Sequence, residues 1–254
     1  MRLLQLLFQF FVAFRKAKKN LESCQRARML DPEMAAYRAG QYEKARTLST
    51  DPFLQAEMLL QLDRTAEGEQ LLRQLAQTEQ NPKPLALIQS VLGHVLLRQK
   101  RYDEAMECFQ RALRYWPERG STHRDIAEWW LCRGDNPAEA LRWARLAVEK
   151  EKSGRGLSED SKALSRGEEL ATLAWAVAVH SHDGAEVDRL SEQVAFPAIT
   201  PMCALAMSSV HFGKAWATLG DATRSAMYFE SAARQDPNGI WGREAASMTV
   251  ANPR

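Results

Sequence analysis

The sequence predicts an all-α chain built as a solenoid of about six antiparallel helix pairs. Three observations carry that expectation. Residues 86–119 hold two helix-period patterns joined by a tight basic turn, RQKRYDEA. The same spacing returns 120 residues later, where Gly213, Phe229, Ala232 and Pro237 match Gly93, Phe109, Ala112 and Pro117. Alternating runs of Val, Ile and Thr that would mark strands are absent.

In the second half of the 86–119 unit, Ala105, Phe109 and Ala112 fall at i, i+4 and i+7, one face of a helix. Leu92, Gly93 and Leu96 mark the facing side in the first half. Small Gly93 and Ala105 let the two backbones approach, with Phe109 filling the space beside them. Pro117 ends the second helix, because it lacks an N–H and pushes Trp116 out of the α region.

This pattern resembles a tetratricopeptide repeat. Leu92-Gly93, Leu96, Ala105, Phe109, Ala112 and Pro117 stand at the family's spacing, and Gln89 departs from it where a large aromatic is usual. The resemblance implies a right-handed superhelix in which each unit buries its apolar face against its neighbours.

Residues 3–14, LLQLLFQFFVAF, are the most hydrophobic stretch. The basic RKAKK follows directly and no small-residue cleavage site does, which argues against a signal peptide. Twelve residues of helix span only about 18 Å, too short for a hydrocarbon core of about 30 Å. Residues 1–30 carry seven basic side chains and one acidic, a net +6 in a chain of net +2. Two readings stay open. The helix sinks into the first repeat or a partner, or it lies in a membrane surface, with Leu7, Phe8, Phe11 and Phe14 in the lipid and Arg15, Lys18 and Lys19 on anionic headgroups.

Four regions follow from the pattern: 1–30, an array over 31–152, a polar insert over 153–169, and a second array over 170–254. Residues 20–32 read as a helix ending at Asp31-Pro32, and 34–52 as a shortened repeat with Gly40 at its turn. A further pair over 53–77 places Gly68 where Ala105 stands in the reference unit. In 120–152, Ala140, Ala144 and Ala147 repeat the spacing of Ala105, Phe109 and Ala112. The insert, poor in apolar residues, reads as exposed and partly helical from Ser158. Residues 241–248 read as a terminal helix covering the last open face.

Chemistry-bearing motifs are weak. His123-Arg124-Asp125 copies the start of a kinase catalytic loop, but Trp130 stands where that loop needs Asn. His180-Ser181-His182-Asp183 offers two imidazoles and a carboxylate, yet its setting is a helix–helix turn. The four cysteines form no CxxC pair, which fits a reducing compartment. The near-neutral balance argues against nucleic acid. The sequence therefore leads to no catalytic residue, no metal and no cofactor, and to a chain in the cytoplasm or on a membrane facing it.

The resemblance implies a partner bound on the concave face lined by the first helix of each repeat. Position by position, that face holds Leu87, Ser90, His94, Leu97 and Arg98, then Ser121, Arg124, Glu128, Leu131 and Cys132, and last Met207, Val210, Lys214, Ala217 and Thr218. Family members that clamp a C-terminal carboxylate use Lys and Asn where Ser90 and His94 stand, so that clamp is not supported. The mixed groove suits an extended or helical peptide with some acidic residues. The expected function is a non-enzymatic protein-interaction scaffold. The rival is a membrane-associated assembly factor anchored by residues 1–19.

Overall fold

The structure, a computed structural model, describes residues 31–152, 159–197 and 200–251. The membrane-contact candidates Leu7, Phe8, Phe11, Phe14, Arg15, Lys18 and Lys19 lie outside the described residues, as do Cys24 and Ser158.

Thirteen helices and no strand occur among the described residues. They alternate as antiparallel pairs: α1 (Pro32–Arg38) and α2 (Tyr42–Leu48), α3 (Pro52–Gln61) and α4 (Thr65–Thr78), α5 (Pro82–Arg98) and α6 (Tyr102–Tyr115). The second half continues with α7 (Gly120–Arg133) and α8 (Pro137–Lys152), α9 (Glu159–Ser181) and α10 (Gly184–Glu192), α11 (Met202–Thr218) and α12 (Ala222–Gln235). The unpaired α13 (Ile240–Ala251) closes the series. The fold is an all-α helical repeat solenoid.

Local chemistry sets the starts. Asp31 and Asp51 cap α1 and α3, their carboxylates accepting from Glu33 N at 3.0 Å and Phe53 N at 2.9 Å. Proline follows each cap at the first helical position, where its missing N–H costs nothing. The turn inside every pair contains one residue of positive φ: Gly40, Asp63, Lys100, Gly134, His182 and Gly220. At Lys100 the reversal is tied by Lys100 N donating to Leu97 O and Arg101 N to Leu96 O, both at 2.9 Å. His182 is thus a turn residue, and Asp183 beside it caps α10 by accepting from Glu186 N at 3.0 Å.

Pair packing follows the small-residue positions. A Cβ added to Gly93 would lie 2.4 Å from Phe109 Cε1, and one on Gly213 would lie 2.6 Å from Phe229 Cε1. Ala105, Ala112 and Ala232 are fully buried. Trp116, before Pro117, takes φ −146° and ψ 80°, while Asp236, before Pro237, takes φ −138° and ψ 64°.

Two findings depart from the sequence reading. The polar 153–169 segment is not uniformly exposed: its described part enters α9, where Gly167 packs under Phe196 and Glu169 is fully buried. The physical reason is Arg124, whose buried charge is opposed by Glu168 and Glu169. Second, α13 covers more than the last repeat, because the two ends of the array meet. One core cluster joins Tyr42 and Met58, near the start, to Met207, Val210, Phe229 and Trp241. Across this seam Tyr37 Oη lies 3.6 Å from Cys203 Sγ, Gln61 Oε1 accepts from Ile240 N at 3.3 Å, and Gln61 O accepts from Arg243 Nη2 at 2.8 Å.

Candidate functional site

The first helices of successive pairs, together with α13, turn polar side chains toward the axis of the array. At its centre Ser90 Oγ donates to one oxygen of Asp125, while His94 Nε2 stands 2.8 Å from the other. His94 Nδ1 is 4.0 Å from Glu128 Oε2, and Glu128 Oε1 is 3.7 Å from His211 Nε2. His211 Nδ1 lies 3.0 Å from Thr172 Oγ1. Arg124 donates to Asp125 at 3.3 Å and to Glu168. A connected polar column thus runs from α5 through α7 to α9 and α11.

The column holds its charges. Burial pushes Asp125 up, but the neighbouring His94, with Arg124 and Arg119, outweighs it and holds the carboxyl at about 2. Burial also opposes ionisation of Glu128, and His211 and His94 reverse the balance, leaving it well below the usual carboxylate range. For His94 burial favours the neutral ring, and Asp125 and Glu128 more than compensate, raising its pKa. Arg124 loses hydration and regains more from Glu168 and Asp125. Ser90, His94 and Asp125 meet here, but both Ser90 and His94 bond to the one carboxylate. The hydroxyl therefore faces the carboxylate and not the imidazole, so the hydroxyl–imidazole–carboxylate order of an activated nucleophile is not formed. The His123-Arg124-Asp125 stretch is equally internal: His123 Nδ1 lies 2.9 Å from Arg119 O.

At the mouth of the column a second arrangement appears. Arg98 Nη1 donates to Glu244 Oε2 at 2.8 Å, and Lys214 Nζ stands 2.9 Å from Glu244 Oε1. The Arg98 guanidinium lies 5.2 Å over the ring of Trp241, and Lys214 Nζ lies 4.5 Å over that of Trp175. Burial raises the Glu244 carboxyl, and Lys214 and Arg98 together bring it below its ordinary value.

Of the residues read as groove lining, Arg98 and Lys214 are brought to one carboxylate, with His94 and Glu128 in the polar column beside them. Leu87 and Ser121 are half-buried, and Cys132, Ala217 and Thr218 are exposed. Ser90, Leu97, Leu131, Met207 and Val210 are buried in the wall. Arg124 is a correction: it is 9% exposed and neutralised by Asp125 and Glu168, so it does not join Arg98 in facing a ligand. Sequence reading missed Glu244, Trp241 and Trp175, because helical spacing identifies a face and not the distant helix that crosses it. Glu57 of α3 also escaped notice; burial, only partly relieved by Arg119, pushes its carboxyl up to about 7.

The sequence model for the Tetratricopeptide repeat matches residues 86–119, spanning α5, α6 and the Pro117 break. The 86–119 unit is a tetratricopeptide repeat. No curated protein matches it. Among solved structures it is similar to BtubC (BKLC) from P. vanneervenii, with 18% identity, a TM-score of 0.48, and coverage of 94% of this chain and 93% of that one. Tetratricopeptide repeats generally bind other proteins or peptides, and their helical-repeat fold is typically non-enzymatic, so the chain is in general terms a protein-interaction scaffold. Among the described residues no helix is long and apolar enough to cross a membrane, and no cluster of three metal-ligating side chains occurs.

Proposed function

We propose that the concave face binds an acidic peptide or helix of a partner protein, with Arg98 and Lys214 receiving its carboxylates and Leu87 and His94 flanking them. The observation that supports this reading is the convergence of Arg98 and Lys214 on a single carboxylate, although they come from helices in opposite halves of the chain. Charge-assisted contacts of this kind contribute on the order of 1.5–3 kcal/mol each where partly desolvated. Affinity capture with the full chain tests it. Reversing both charges, Arg98→Glu with Lys214→Glu, abolishes capture of the specific partner and leaves helicity intact. Reversing Arg111 and Arg114, on the second helix α6, has little effect. Equal losses from both pairs would mean that binding follows net charge, and the reading would fail.

A second reading adds a membrane surface, contacted by residues 1–19. Its support is the sequence alone: an apolar twelve-residue run followed by Arg15, Lys16, Lys18 and Lys19. Flotation of the full chain with anionic liposomes, lost when the four basic residues become glutamine, is the expected result. Flotation unaffected by those changes, or absent from the start, removes it.

A further inference from the structure

The groove just proposed already holds a helix. α13 packs on α12 and α11 of the last repeat, and it presents Trp241 and Glu244, one helical turn apart, to side chains of α5 and α11. Trp241 lies between the Arg98 guanidinium at 5.2 Å and the His211 ring at 5.6 Å. Glu244 receives both Arg98 and Lys214. From the opposite side Arg243 anchors the helix to Gln61. Only the short Asp236–Gly239 turn joins α13 to α12, so its concentration at the face is on the order of millimolar or higher.

We propose that α13 is a resident ligand of the concave face, and that the partner it takes is a helix of the same design, with an aromatic residue followed three positions later by a carboxylate. This rests on the groove reading above and adds two claims to it: the partner's pattern, and competition with the chain's own C-terminal helix. Charge complementarity supports the pattern, because both cations at the mouth are directed to one acid. The aromatic position follows from Trp241, which is 8% exposed and ringed by Arg98 and His211. Arg98 remains 37% exposed and Glu244 18%, so the ion pair can be reached from solvent.

The test adds a fluorescent peptide with the sequence of residues 238–251 to the full chain and follows its anisotropy. The wild-type chain binds it weakly, because the tethered copy competes. Glu244→Gln in the chain loosens the resident helix and tightens peptide binding at least tenfold. Arg243→Ala, which removes the Gln61 anchor and leaves Arg98 and Lys214 untouched, does the same, and it carries the test if the first variant fails to fold. A peptide with glutamine in place of the glutamate binds the loosened chains at least tenfold more weakly. The proposal is overturned if neither loosened chain binds the peptide better than wild type, or if the glutamine peptide binds as well as the original. Should those peptide effects be missing while reversal of Arg98 and Lys214 still abolishes partner capture, self-occupancy falls and the groove reading stands.

Discussion

Phe109 lies against the bare Cα of Gly93, so close that an added methyl at Gly93 would sit 2.4 Å from the ring edge. The same contact recurs between Gly213 and Phe229. Gly93→Ala and Gly213→Ala should therefore each destabilise the fold by about 1–3 kcal/mol through overpacking, despite alanine's better helix propensity. Pairing Gly93→Ala with Phe109→Leu should recover part of the loss. Chemical denaturation of the single and double variants measures both effects, and additive losses would place the ring elsewhere.

The six turns inside the pairs share one left-handed position, and glycine occupies only half of them. Lys100 is exposed there at φ 60°, a strained conformation for a side-chain-bearing residue. Lys100→Gly should raise stability by about 0.5–1 kcal/mol, and Gly220→Lys should lower it by a similar amount. Nothing lies within 4 Å of a Cβ at Gly220, so its loss would report backbone strain alone. Thermal melts of the two variants check the opposite signs.

Much of the fold is legible in the sequence because its determinants are local. Gly93, Ala105, Phe109 and Pro117 all lie within one helical hairpin, so the contacts between its two helices follow from short-range spacing. The seam is not legible for the converse reason. Tyr37 with Cys203, and Gln61 with Arg243, are separated by more than 160 residues and obey no period. Arg124 shows a second limit. Its position on the inward face follows from periodicity, but its burial depends on Glu168, a residue in a segment whose polarity reads as solvent exposure.

Glu57 makes the stability of the chain depend on pH. Burial raises its carboxyl from 4.5 to about 7, so the folded state retains a proton that the unfolded state releases. For an acid shifted upward, stability is full below the unfolded pKa and is lost as pH rises through the folded one. Glu57→Gln should thus match wild type near pH 4 and exceed it above pH 7, by about 1–3 kcal/mol after allowance for the group's partial exposure. Urea titrations at both pH values test this, and a gain of equal size at pH 4 would assign the effect to packing.

Met58 of α3 is fully buried in the cluster that reaches Val210 and Phe229. Met58→Ala should cost about 2–5 kcal/mol by leaving a cavity. It should also speed amide hydrogen exchange in α11–α13, well over a hundred residues away. In an open array the perturbation would stay with α2, α4 and α5. Exchange changes confined to those neighbours would contradict the seam.

The seam also fixes how many repeats this chain can have. An open solenoid tolerates gain or loss of a unit, because every internal joint resembles the others. Here one added pair between α5 and α11 would carry Gln61 away from Arg243 and Arg98 away from Glu244, and one deleted pair would drive them past each other. Repeat number is thereby a quantised property of the molecule, held at its value by contacts between units that never follow one another in sequence.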